Sequence, residues 1–213
     1  MRKPTDTKEA IKRLGRRYPD APKVALDYRS PIELLVATIL SAQCTDQRVN
    51  IVTKTLFRRY KNVADYAKAN IPELESIIRS TGFYHNKAKN IKAAAKMIVD
   101  DYKGRVPDTM MDLVKLPGVA RKTANIVLTA AYGKVEGIAV DTHVQRLSQR
   151  IGLAKSDDPT KIEQELMALY PKNDWPKINR LLVAHGRAVC NARKPLCNIC
   201  VLHRICPKNG VKT

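Results

Sequence analysis

At 213 residues and 44% hydrophobic content, the chain can form one large domain or two small ones, each with an apolar core. It carries 39 Lys and Arg against 20 Asp and Glu, a formal net charge of +19. An excess of that size points to a polyanion partner, most simply nucleic acid, with a merely soluble or ribosome-like basic surface as the alternative.

No apolar run approaches the ~20 residues of a membrane span. Met1–Ala10 is basic, contains Asp6 and Glu9 and has no apolar centre, so it reads as neither secretory signal nor transit peptide. The expectation is a soluble intracellular protein with no membrane partner.

Helical starts recur along the chain and strand alternation is nearly absent. Ser30-Pro31-Ile32-Glu33 has the form of a capping box with proline at the first helical position, which predicts a helix through Leu40. Leu34, Leu35, Thr38 and Ile39 form its stripe, and Val36, Ala37 and Leu40 widen it, so the helix is expected to be buried on most sides. Thr45 or Asp46 can cap a second helix to about Tyr60, with Val49, Val52, Leu56 and Phe57 facing inward. A third runs from Ile71 to Arg79 and ends near Thr81-Gly82. A fourth is expected from Asn86 or Lys87 to Tyr102, with Ile91, Ala94, Ala95, Ile98 and Val99 facing in and Lys87, Lys89, Lys92 and Lys96 pointing elsewhere.

Asp108 is the expected cap of a short helix to Lys115, and a new helix runs from Arg121 to Ala131. Further helices are predicted over Thr142–Ile151, over Pro159–Leu169 with Asp158 as cap, and from Trp175 to about Val189. The fold class is therefore all-α, built from short helices and short loops. There is no low-complexity tract or internal repeat, and no linker composition marks a boundary.

Leu116-Pro117-Gly118-Val119-Ala120-Arg121-Lys122-Thr123-Ala124 interrupts the helices with a tight turn. Proline stops one helix, glycine permits an unusual backbone angle, and the next helix starts at once with unpaired amide N–H groups. Such a turn can bind a DNA phosphate through the backbone, without reading bases; an ordinary helix corner is the plainer alternative. Lys122 lies in the first helical turn, where the positive end of the dipole disfavours a protonated amine, and a neutral amine is what a nucleophile needs. A phosphate contact is the other role open to that lysine. Gly137-Ile138-Ala139-Val140-Asp141-Thr142-His143 then places an acid after an apolar run, where Asp141 can cap a helix, face a cleft, or do both.

Near the C-terminus Cys190, Cys197, Cys200 and Cys206 are spaced C-x6-C-x2-C-x5-C, in a chain with 5 cysteines in all. Without a secretory signal, clustered thiols more often bind metal than form disulfides. Structural zinc usually uses two short knuckles, and only one is present here. Uneven all-thiolate spacing suits a four-iron cluster; zinc and an unbound or disulfide state are the alternatives.

Taken together, these residues resemble the endonuclease III family of DNA glycosylase/AP lyases, in the helix-hairpin-helix superfamily, over about Ser30 to Cys206. The resemblance is carried by Ser41-Ala42-Gln43-Cys44-Thr45-Asp46, Leu116 to Ala124, Val140-Asp141-Thr142-His143, His185-Gly186-Arg187 and the four cysteines. It implies a six-helix barrel domain over 25–135, with the hairpin, and a discontinuous domain from 1–24 and 136–213 that holds a [4Fe-4S] loop at 190–206, with DNA crossing the cleft between them.

By the same resemblance, Lys122 attacks C1′ of the damaged nucleotide to form a Schiff base, and Asp141 activates it and stabilises positive charge on the sugar. Cys190, Cys197, Cys200 and Cys206 hold the cluster. Gln43 fills the gap left by the extruded nucleotide and Phe83 is the wedge. Leu116, Pro117, Gly118, Val119, Ala120, Arg121 and Thr123 form the phosphate-binding hairpin, and Arg193 and Lys194 touch DNA phosphate. A base must leave the stack before its glycosidic bond can be reached, so such an enzyme needs a gap-filler and a wedge; simple packing is the other role open to Gln43 and Phe83.

Three positions depart from the family pattern: Ala120 for a second hairpin glycine, Phe83 for a leucine wedge, and Cys44 for a small residue, read here as a buried structural thiol. The implied activity is base excision repair of oxidised pyrimidines in double-stranded DNA by a cytoplasmic, nucleoid-associated monomer. The rivals are an adenine- or mismatch-specific glycosylase, which would lack the lysine, and a non-catalytic helix-hairpin-helix module with a structural metal.

Overall fold

The computed structural model describes residues 6–211, so the first five residues of the Met1–Ala10 stretch lie outside the described residues. The chain divides into two compact units, Val24–Glu136 and the flanking segments Met1–Lys23 with Gly137–Thr213. Among the described residues there are helices and turns but no strand. No helix there is long and apolar enough to cross a membrane.

The flanking unit begins with α1 (Thr7–Arg17), which sequence reasoning did not identify. Its signal was present: the Asp6 side chain accepts from the Glu9 N–H at 3.0 Å, and Ala10 and Leu14 are buried on one stripe. The many basic residues around that narrow stripe obscured it.

In the central unit α2 (Pro31–Leu40) is the core helix, buried at every residue from Ile32 to Leu40. It packs against α3 (Asp46–Arg59), α6 (Tyr84–Tyr102) and α8 (Arg121–Tyr132). Each fully buried leucine in it contributes about 1.5–3 kcal/mol of transfer free energy. The Ser30 hydroxyl accepts from the Glu33 N–H, but the Glu33 carboxylate reaches one residue further back, to the Arg29 N–H at 2.6 Å. The reciprocal half of the expected capping box is thus displaced onto Arg29.

The Thr45 cap of α3 is observed, with Val49, Val52 and Leu56 buried. A full capping box occurs instead at α4 (Val63–Ala67), where Asn62 and Asp65 exchange bonds; this five-residue helix is too short to show a period in sequence. Next comes α5 (Ile71–Ile78), capped by Asn70 and followed by a 3-10 turn over Arg79–Thr81.

Four sequence expectations fail locally. The helix expected from Asn86 or Lys87 begins at Tyr84, because Phe83 in a left-handed conformation already redirects the chain. Lys87 does not point away from the core but is 5% exposed, whereas Val99, expected to face in, is 38% exposed. Thr109, not Asp108, caps α7 (Met110–Leu113), accepting from the Asp112 N–H at 3.2 Å. Asp108 pairs instead with Lys134.

The flanking unit is completed by α9 (Thr142–Ile151), α10 (Pro159–Leu169) and α11 (Trp175–Ala188), followed by the cysteine loop. Asp158 caps α10 as expected. Leu14, Val144, Leu147, Ile162, Leu166, Ile178 and Leu182 form its core. Gly186 lets α9 and α11 approach closely, since a Cβ there would meet His143 Nδ1 at 2.7 Å.

Candidate active site

The turn before α8 is shaped by glycine for two separate reasons. Gly118 has φ +79°, and a Cβ on it would lie 2.9 Å from Asn90 Cβ on α6. Any other residue would be strained in its backbone and would also press on the neighbouring helix. Ala120, the N-cap of α8, supplies no side-chain cap, so it has no polar group of its own to compete with an anion for the first-turn N–H groups.

Gly118, Ala120 and Arg121 are exposed and Pro117 and Lys122 half-buried, while Leu116, Val119 and Thr123 are buried. Those three buried side chains anchor the turn, so any contact they make with a phosphate runs through the backbone.

In the other unit Asp141 caps α9 with one oxygen. Oδ1 accepts from the His143 and Val144 N–H groups at 2.9 and 2.8 Å. Both capping bonds use the same atom, and the half-buried carboxylate keeps Oδ2 for a second task. The cap thus leaves room for the double role that the sequence allows this side chain.

Gln43 and Phe83 are both exposed, Phe83 by 65%, and both have positive φ, +53° and +48°. Cys44, beside Gln43, is half-buried against the central core, which is less enclosed than the buried thiol expected. Arg193 and Lys194 are exposed.

The cysteine loop is held from α9 by two arginines one turn apart, which sequence reasoning missed. Arg146 Nη2 donates to the Gly186 and Cys190 carbonyls at 3.2 and 3.0 Å. Arg150 donates to the Asn191 and Ala192 carbonyls, each at 2.7 Å. Their i, i+4 spacing was visible, but their partners lie about 40 residues away and nothing local marks them.

Cys190, Cys197, Cys200 and Cys206 line one cavity with His185 and Arg150. Backbone N–H groups of Leu202 and Lys208 point at Cys200 and Cys206 Sγ, each at 3.4 Å, and Arg150 Nη1 lies 3.6 Å from Cys190 Sγ. Burial pushes the Cys200 and Cys206 thiols up, so a bound cation is what would favour their thiolate forms. Among the described residues no group of three or more His, Cys, Asp or Glu is placed to hold one metal ion. A set of four thiols around a shared cavity, with N–H donors aimed at sulfur, is the donor chemistry of an iron–sulfur centre.

His185, a motif residue in the sequence, has a partner at each ring nitrogen. Its Nδ1 lies 2.9 Å from Tyr18 Oη and its Nε2 3.3 Å from Cys200 Sγ. Burial, aided by Arg17, pushes its pKa down to about 4. The ring is neutral at pH 7, with one N–H to offer between those two partners.

The family model for the HhH-GPD superfamily base excision DNA repair protein matches residues 36–172, a class defined by this helical fold and its hairpin. The chain belongs to the endonuclease III family of DNA glycosylase/AP lyases. It is 55% identical to endonuclease III of Synechocystis sp. over 194 residues, covering 91% of this chain and 88% of the relative. Against endonuclease III of Bacillus subtilis it is 47% identical over 197 residues, covering 92% and 89%.

Among solved structures, a trapped endonuclease III–DNA covalent intermediate, an estranged-adenine complex, matches with TM-score 0.91 at 44% identity, covering 94% of each chain. A thermostable thymine-DNA glycosylase shares the fold at TM-score 0.84 and 24% identity.

Proposed function

We propose that this chain removes damaged bases, oxidised pyrimidines foremost, from double-stranded DNA and cleaves the resulting abasic strand through a Schiff base on Lys122. One observation carries the reading: a lysine follows an uncapped, glycine-dependent turn at the start of α8. Its family likeness to a protein trapped covalently on DNA supports it.

In this reading Lys122 Nζ attacks C1′ through its lone pair, and the base leaves with the bonding electron pair and takes a proton from solvent. The C1′–O4′ bond then breaks, O4′ taking the proton that the nitrogen gives up, and the ring-opened sugar is left as the Schiff base. Removal of a C2′ proton then breaks the C3′–O bond, and hydrolysis frees the amine. The Asp141 carboxylate assists attack and stabilises positive charge on the sugar as the base departs. Gln43 and Phe83 occupy the opened stack while the nucleotide is out. Gly118 to Thr123, Arg193 and Lys194 bind phosphates, which positions the duplex without specifying sequence.

The four cysteines would hold a [4Fe-4S] cluster, which would supply a covalent cross-link for the loop that carries Arg193 and Lys194. The protein works as a monomer on nucleoid DNA in the cytoplasm.

A panel of duplexes carrying single lesions tests the activity. Oxidised-pyrimidine strands should be incised without alkali. Base release that yields a nick only after alkali would identify a glycosylase without lyase chemistry and overturn the reading.

A further inference from the structure

Gln43 and Phe83 share a backbone conformation that side chains disfavour, each being a non-glycine residue at positive φ. Such residues persist where surrounding contacts fix the chain. Both are exposed, so the constraint does not come from packing of their own side chains. It lies behind them. Gln43 follows the end of α2 at Leu40 by three residues, and Phe83 follows the end of the 3-10 turn at Thr81 by two. The carbonyls of Leu40 and Thr81 each accept from Lys87 Nζ at 2.8 Å.

Lys87 is 5% exposed, in the first turn of α6. Both of its hydrogen bonds go to carbonyls, and the Cys44 side chain is its neighbour. An apolar side chain would fill the same space without desolvating an ammonium group. What the ammonium adds is a tie between two helical C-termini, where carbonyls favour a cation.

We propose that Lys87 is the positioning residue that locks the Gln43 loop and the Phe83 turn into one unit, so that gap-filler and wedge enter the duplex together. This rests on the reading of Gln43 and Phe83 as inserting residues. Lys87 touches neither DNA nor the reacting atoms; it sets the separation and direction of the two residues that do. Without the tie, each segment is free to relax from its left-handed conformation, and insertion of one side chain no longer presents the other.

Lys87→Met keeps the stem and removes the ammonium. Single-turnover excision from a duplex bearing an oxidised pyrimidine should fall about tenfold. The fluorescence rise of 2-aminopurine placed opposite the lesion, which reports unstacking, should slow in parallel. Borohydride trapping on a single-stranded abasic oligonucleotide, which has no stack to open, should stay within about twofold. In a Gln43→Ala, Phe83→Ala background the lysine change should add less than about twofold, because its effect runs through those residues.

An equal loss on the single strand, or an undiminished effect in that background, would make Lys87 a general packing residue and overturn the proposal. If Gln43→Ala and Phe83→Ala leave the fluorescence change intact, it is the insertion reading that fails, and the proposal falls with it. Should Lys87→Met not fold, Lys87→Gln, whose amide can donate to one of the two carbonyls, enters the same cycle, and the same outcomes decide.

Discussion

Asp141 has two tasks that substitution can separate. Its Oδ1 holds the first turn of α9 through two N–H groups, while the chemistry proposed for it needs negative charge. Asparagine caps a helix about as well as aspartate, whereas alanine does not. Asp141→Asn should therefore leave stability to denaturant within a few tenths of a kcal/mol, and Asp141→Ala should lose about 1 kcal/mol. Both should lose turnover by about 10²-fold or more, because neither supplies the carboxylate. Urea melts beside single-turnover rates check this; an Asp141→Asn enzyme with normal turnover would leave Asp141 as a cap and nothing else.

Among the helices, the short α7 gives the sharpest test of local physics. Thr109 accepts from the Asp112 N–H and also bonds the Asp112 carboxylate at 2.8 Å, while Asp108 makes an exposed ion pair with Lys134. Thr109→Ala should cost about 1 kcal/mol in chemical denaturation, the usual loss of a cap. Asp108→Ala should cost at most about 0.5 kcal/mol, the scale of an exposed pair. The reverse order would restore Asp108 as the cap.

Elements with a broad apolar stripe and a local cap, such as α2, α3 and α10, are legible in the sequence because both signals lie within a few residues. The misses have a different cause. Lys87 looked like a solvated lysine because its partners, Leu40 and Thr81, come from other elements, and no periodicity reports a buried amine bonded to carbonyls. Arg146 and Arg150 were missed for the same reason. The cysteines were conspicuous by spacing, but the N–H donors and arginines around them appear only once α9, α11 and the loop are folded. Thr123, Leu116 and Val119 could be assigned to the hairpin from order alone; that they are buried anchors required the structure.

The whole molecule is set apart by its charge. A net +19 should make DNA affinity fall steeply with salt, through counterion release. If the exposed Arg193 and Lys194 lie on phosphates, changing either to alanine should reduce the slope of log K against log salt by about one. Unchanged slopes would take the cysteine loop off the DNA.

Fold, hairpin and charge converge on one bond, between Lys122 Nζ and a sugar carbon. Borohydride reduction during reaction with an oxidised-pyrimidine duplex tests it most directly, run on wild type and on Lys122→Gln. The wild type should be captured as a covalent protein–DNA adduct, and the variant should bind the duplex yet give none. Undiminished trapping of the variant would place the nucleophile on another amine and contradict the assignment of Lys122.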